Sequence, residues 1–241
     1  MIMGLFDKKF CDICGDKIGL LGNRKLDDGN MCKNCSALLS PFMTDRRRTT
    51  LADIKEHLAY REANKANVEA LNVTRAIGTG MKVLLDEDAR RFIVTSSKRW
   101  QAENPDVMEF SQVTGCSTEI KETRTEIKRT GNDGKQVSFI PPRYDIDYDF
   151  YATISINSPW FSEINFKVNG NRIEERASVE YREAEKQAQE IKMALTSVRK
   201  EVRDEVKTAS APKVAKMCPL CGATSIPDAH GCCEYCGGAM N

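Results

Sequence analysis

From residue 144 to residue 156 the apolar side chains fall on every second position: Tyr144, Ile146, Tyr148, Phe150, Ala152, Ile154 and Ile156. A period of two held over that length predicts a strand with one buried face. Asp145, Asp147 and Asp149 take the other face. After the turn signal Asn157-Ser158-Pro159, alternation resumes at Ile164, Phe166 and Val168. Upstream, Lys82–Leu85 and Arg91–Thr95 flank Asp86-Glu87-Asp88 as strand, turn and strand, and Val107–Thr114 reads as a further strand. Ser117–Thr130 and Lys135–Ile140 flank Gly131-Asn132-Asp133-Gly134, a strong hairpin signal. The period then changes. Tyr181, Ala184, Ala188, Ile191, Leu195, Val198 and Val202 step by three and four, which predicts one amphipathic helix of about 30 residues. A second helix is predicted ahead of the sheet. Thr50 and Asp53 have the spacing of a capping box, and Leu51, Ile54, Leu58 and Leu71 form an apolar stripe to about residue 73. Gly78 and Gly80 then break the pattern.

About seven antiparallel strands followed by one long helix resemble a pleckstrin-homology-like domain. Asp86–Val94 and Val107–Thr114, taken with the late helix, are similar to bacterial members of that superfamily. The resemblance implies a bent antiparallel sheet with the helix plugging one open end. A barrel of ten or more strands is excluded by length. The expected class is α+β and multidomain, with small four-cysteine zinc modules at both termini.

Those modules follow from the cysteines. Eight of the ten form CxxC pairs: Cys11 with Cys14, Cys32 with Cys35, Cys218 with Cys221, and Cys233 with Cys236. A CxxC pair lets two thiolates converge on one face of a tight turn, and a second pair completes the tetrahedral all-sulfur shell that Zn²⁺ prefers. In a reducing compartment such pairs bind metal more often than they form disulfides. Two structural Zn²⁺ ions are therefore expected. Four thiolates leave no open coordination position, so a catalytic zinc is not expected at either end.

In the first module Gly15 follows Cys14, where the backbone must turn its N–H groups toward sulfur. Lys17–Gly22 and Asn23–Leu26 read as a short hairpin, with Asp27-Asp28-Gly29-Asn30 as its turn. About 35 residues hold too little core to fold alone, so metal must supply on the order of 10–16 kcal/mol. The run from Met3 through Cys11-Asp12-Ile13-Cys14-Gly15-Asp16-Lys17 to Leu26 resembles the N-terminal zinc finger of a bacterial family known only as a domain of unknown function. The resemblance covers roughly residues 1–75. It implies a finger followed by a helix and a sheet domain, with Cys11, Cys14, Cys32 and Cys35 as ligands, and it implies no activity.

At the other end, Lys207–Lys216 reads as a flexible tether. Cys218-Pro219-Leu220-Cys221-Gly222 and Cys233-Glu234-Tyr235-Cys236-Gly237, with Pro227-Asp228 between them, resemble the short zinc ribbons at the termini of prokaryotic proteins. Cys232 and His230 are read as non-ligands. The expected division is a finger at 1–43, a connecting helix and linker at 44–79, the pleckstrin-homology-like domain at 80–207, and tether with ribbon at 208–241.

Other candidates take bland readings. His57 lies beside Glu56 with no HExxH around it, so it is a surface or packing histidine. Arg46-Arg47-Arg48 is the sharpest basic cluster, but Asp45 adjoins it and no aromatics interleave, so a solvated face is preferred to an anion site. The three strand aspartates spread over more than about 13 Å, too far for one Ca²⁺, and are expected to pair with cations such as Arg124 or Lys128. Cys116 reads as a small buried apolar residue.

A formal net charge of +1 gives no global attraction to nucleic acid or anionic lipid. No apolar run approaches the ~18 residues of a membrane span. The opening MIMGLFDKKF lacks the order of a signal peptide, so a cytoplasmic location is expected. No GxSxG, Walker loop or dinucleotide fingerprint occurs, and no enzyme activity is expected. The leading expectation is a zinc-binding scaffold or adaptor that engages protein partners, with the partner's identity and the oligomeric state left open. The alternatives are a nucleic-acid-binding finger protein and a lipid-headgroup binder. The second of these would need a basic pocket, of which the sign-alternating Lys121–Lys135 hairpin offers only a weak version.

Overall fold

The computed structural model describes residues 9–44, 46–210, 215–228 and 231–240, with side chains through residue 197 and again from residue 215. The chain divides into two compact units, Met1–Arg199 and Lys200–Asn241.

In the first unit, β1 (Arg24–Lys25) pairs with β2 (Asn30–Met31), and α1 (Lys33–Ala37) follows at once. The turn lies close to where the Asp-Gly signal put it. The strands do not: Lys17 bridges back to Phe10, and the partner of Arg24-Lys25 lies beyond the turn. A short 3-10 turn at Arg46–Arg48 leads to α2 (Leu51–Glu69). Thr50 and Asp53 form a reciprocal capping box: the Thr50 Oγ accepts from the Asp53 N–H, and the Asp53 carboxylate accepts from the Thr50 N–H.

Two antiparallel sheets follow. The first, in the order β3-β4-β5-β6, contains β3 (Arg75–Ile77), β4 (Lys82–Asp86), β5 (Arg91–Thr95) and β6 (Met108–Glu109), with α3 (Trp100–Glu103) between β5 and β6. The second, in the order β7-β8-β9, contains β7 (Val113–Thr130), β8 (Gln136–Ile156) and β9 (Glu163–Lys167). The predicted single strand over Val107–Thr114 is instead β6, a 3-10 turn at Phe110–Gln112 and the start of β7. That turn lets the chain leave one sheet and enter the other. β3 precedes residue 80 and pairs with β4, so the first sheet begins upstream of the pattern that announced it.

α4 (Val179–Ser210) completes the unit and runs on past it. Its buried stripe of Tyr181, Ala184, Ala188, Ile191 and Leu195 shares one core with Val83, Leu85, Phe92 and Val94 of the first sheet and with Phe150, Ala152, Ile154, Ile164 and Phe166 of the second. The side chains of Val198 and Val202 lie outside the described residues. The predicted tether at 207–216 is helical through Ser210, and Lys216 starts a strand; residues 211–214 lie outside the described residues.

The central strands are buried on both faces, because α2 covers the side away from that core. Val68 and Leu71 pack there with Leu84, Ile93 and Val107. This explains the unbroken apolar runs Val83-Leu84-Leu85 and Phe92-Ile93-Val94, where a one-sided sheet would alternate. The period-two reading of β8 holds from Tyr148 inward, where every second residue to Ile156 is buried. Tyr144, at its outer end, is exposed.

The aspartates of β8 find different partners from those expected. Arg172 bridges Asp145 at 2.5 Å and Asp147 at 3.6 Å, and Lys167 of β9 pairs with Asp149. Arg124 turns instead to Glu122 on its own strand. Register decides this: Thr125 and Thr123 stand opposite Asp145 and Asp147, which places Arg124 on the other face. Cys116 is half-buried against the core, and burial pushes its thiol up to about 11.

In the second unit, β10 (Lys216–Met217) pairs with β11 (Thr224–Ser225), and among the described residues the buried apolar ones are Cys218, Cys233 and Met240.

Candidate metal centres

Three of the four CxxC pairs adopt the same backbone knuckle. The Gly15 N–H donates to the Cys11 carbonyl, Gly222 to Cys218 and Gly237 to Cys233, and each glycine has a left-handed φ of 69–79°. The first cysteine's own N–H closes the loop onto the carbonyl five residues on, at Asp16, Ala223 and Gly238. A left-handed residue is what turns the intervening N–H groups toward sulfur, and glycine takes that conformation at least cost.

The fourth pair is built differently. Cys32 caps α1, its Sγ accepting the Cys35 N–H at 3.4 Å, and Cys35 lies in the helix's first turn. The N-terminal cluster thus joins a knuckle to a helix start, whereas the C-terminal cluster joins two knuckles. The CxxC spacing alone is the same in both.

In each cluster the four Sγ atoms lie within 4.8 Å of one another. Cys11 and Cys35 are 3.9 Å apart, Cys14 and Cys32 3.7 Å, Cys218 and Cys236 3.6 Å, and Cys221 and Cys233 3.7 Å. A tetrahedron with metal–sulfur bonds of about 2.3 Å has edges of ~3.8 Å. Disulfide bonds are excluded at these separations, since S–S is about 2.05 Å. Both clusters can hold a metal ion.

Their electrostatics fit a cation as well. Burial raises the Cys11 thiol, but N–H groups of Cys14, Cys32 and Ile13 outweigh it and bring it down to about 6. N–H groups of Cys236 and Tyr235 bring Cys233 down to about 6. Other members move the opposite way. Cys35 is pushed up by burial and by its three neighbouring sulfurs. Cys236, despite the Gly238 N–H, is pushed up to about 12 by Cys221 and Cys218. Four sulfurs this close cannot all carry charge unless a cation sits among them.

Cys233, not Cys232, converges on the C-terminal cluster. The Cys232 N–H is held by the Asp228 carboxylate at 2.8 Å, and the residue bridges to Ala239. His230 lies outside the described residues. Arg46, of the basic cluster, donates to the Ser36 Oγ at 3.2 Å.

A buried polar cluster that no local pattern announced anchors the first module. His57 is fully buried and accepts the Ser40 N–H at its Nε2. The Ser40 Oγ donates to Asp106 at 2.7 Å, and Arg61 donates to the other Asp106 oxygen at 2.8 Å. Arg61 also reaches the Asn104 carbonyl, and Asn64 bonds Asn104, Pro105 and the Val107 N–H. Ser, His and Asp thus meet here, wired wrongly for nucleophilic catalysis: the serine hydroxyl is bonded to the carboxylate, and the imidazole to a backbone amide.

Residues 9–57 match the family described as "Domain of unknown function (DUF4428)". That stretch holds the whole N-terminal cluster and the first two turns of α2. No curated protein and no solved structure matches the chain. No helix among the described residues is long and apolar enough to cross a membrane.

Proposed function

We propose that the protein is a cytoplasmic, zinc-binding adaptor that engages protein partners and performs no catalysis. The observation that carries this is the closure of both clusters. Each offers four sulfurs at the edge lengths of a tetrahedral zinc–thiolate site, leaving no position for a substrate or a reactive water. The metal is zinc because an all-thiolate tetrahedral shell in a redox-inert structural role suits it best.

The domain between the clusters is pleckstrin-homology-like. A four-stranded and a three-stranded antiparallel sheet, then a long helix sharing their core, support that reading. The outer edge of β7 supports the adaptor role. Among the described strands β7 pairs only with β8, so its other edge offers N–H and C=O groups to an added strand.

Elemental analysis should find two Zn per chain, and one after Cys11→Ser with Cys14→Ser. Affinity capture from the native host, run with and without chelator, should return a protein partner. One zinc in the unmutated chain, or turnover of a substrate lost on Cys→Ser substitution, would overturn the reading.

A further inference from the structure

The β7–β8 ribbon extends well beyond the sheet that anchors it. β9 pairs only with Tyr151–Ser155, so among the described residues the pairs from Arg124↔Ile146 to Thr130↔Gln136 have no third strand. Seven such pairs reach roughly 25 Å at ~3.4 Å per residue. No residue from Ser117 to Asp147 is buried.

The far end has an unusual composition for a solvated tip. Between Ile127↔Arg143 and Lys128↔Ser138 the register slips, leaving Phe139-Ile140-Pro141-Pro142 without cross-strand partners. Ile140 is 97% exposed, and Ile127 and Val137 are exposed on the neighbouring pairs. Phe139 lies under two guanidinium groups, Arg143 at 4.7 Å and Arg129 at 5.9 Å from the ring centre. From Ile127 to Arg143 the cations are Lys128, Arg129, Lys135 and Arg143, against the single acid Asp133, in a chain whose total charge is only +1.

We infer that this tip docks on an anionic lipid surface, with Ile140 entering the acyl boundary and the flanking cations meeting headgroups. The excess positive charge selects an anionic occupant. Among anionic occupants, the exposed side chains choose the bilayer. From Ile127 to Arg143 they are aliphatic and proline, which gain by leaving water but give no stacking platform to nucleic-acid bases; Phe139 is already covered by arginine, and the exposed Tyr144 lies below the tip. A two-stranded ribbon has no groove for an acidic peptide, whereas a deformable bilayer can cover a lone exposed isoleucine from every side. The sign alternation of the hairpin sequence therefore misleads: the acids lie nearer the base of the ribbon, and the tip is cationic. The inference goes beyond the adaptor reading and does not depend on it, since it rests on the side chains of the tip and not on the metal clusters or the free backbone edge of β7.

The test is cosedimentation of the zinc-loaded full chain with vesicles of phosphatidylcholine alone and with about one-third phosphatidylserine. Binding should require the anionic lipid and fall at 0.5 M salt, each tip cation contributing roughly fivefold. Ile140→Asp should weaken it about tenfold or more, and Lys128→Gln with Lys135→Gln about 25-fold. Both substitutions are on exposed residues and should leave the circular dichroism unchanged. No binding to anionic vesicles, equal binding to neutral ones, or indifference to Ile140→Asp would each overturn the inference. So would a ribbon-dependent preference for oligonucleotides over vesicles.

Discussion

The two four-cysteine clusters share ligand type and sulfur spacing, yet their surroundings differ. Around the N-terminal cluster, Ile18, Leu26, Met31, Leu39 and Ile54 form an apolar core that includes a residue of α2. The Ser40–Asp106–Arg61 contacts then join the module to the sheet domain. Around the C-terminal cluster, Met240 is the only buried apolar residue besides the cysteines, among the described residues. The same ligand set thus reinforces an existing core at one end and replaces a core at the other. With metal bound at both, the first module would combine metal, core and polar contacts, whereas the second would rest on metal almost alone.

Removing metal should give the largest effect and the sharpest contrast. A zinc-cluster contribution of about 10–16 kcal/mol exceeds anything else a module of this size contains. Under chelator, residues 216–240 should lose all protection from proteolysis. Residues 18–44 should retain slowed cleavage, because their apolar core persists against α2. Equal susceptibility of both ends would erase the distinction between them.

Next in size is Arg61→Ala, which leaves the Asp106 carboxylate buried without its charge partner. A loss of about 3–5 kcal/mol is expected by denaturant unfolding of the zinc-loaded chain. A loss below about 1 kcal/mol would show that the finger and the sheet domain are not energetically joined. Leucines at the two ends give a third contrast. Leu26→Ala empties a fully buried site and should cost about 2–5 kcal/mol, whereas Leu220→Ala, 75% exposed, should stay within about 0.5 kcal/mol.

The smallest effect concerns pH. Burial holds His57 below its ordinary value, the pull of Asp106 being weaker and Arg61 opposing it. Its Nε2 accepts the Ser40 N–H, an arrangement that protonation would break. The unfolded chain binds a proton near pH ~6.5 and the folded chain only lower. The contribution is therefore complete above about pH 6.5 and is lost as pH falls through the lower folded value. His57→Gln should flatten the stability curve in that window, followed by denaturant midpoints with zinc in excess. An unchanged slope would mean His57 does not titrate across it.

What the linear pattern displayed, it displayed through short-range physics. The CxxC spacing placed each pair of sulfurs on one turn. Thr50 and Asp53 started α2 where capping chemistry requires, and the change of period near residue 179 marked α4. Gly131–Gly134 set the hairpin, although Pro141-Pro142 did not end β8 as a strand-breaking pair would suggest; the residues sit in a bulge, where a missing N–H costs no ladder bond. The start of the first sheet at β3 was not legible because a three-residue strand carries too little period to read.

Tertiary structure alone decided which cations meet the aspartates of β8 and what α2 covers. Ser40 and Asp106 are 66 residues apart, and nothing local to either marks the other as its partner. Arg61 and Asn64 look like ordinary polar positions on an exposed helix until residues 104–107 arrive to bond them. Local spacing specifies turns, caps and periods, because those depend on neighbours along the backbone. Which faces meet depends on the closure of long loops and on the register of a sheet, and these exist only once the chain has folded.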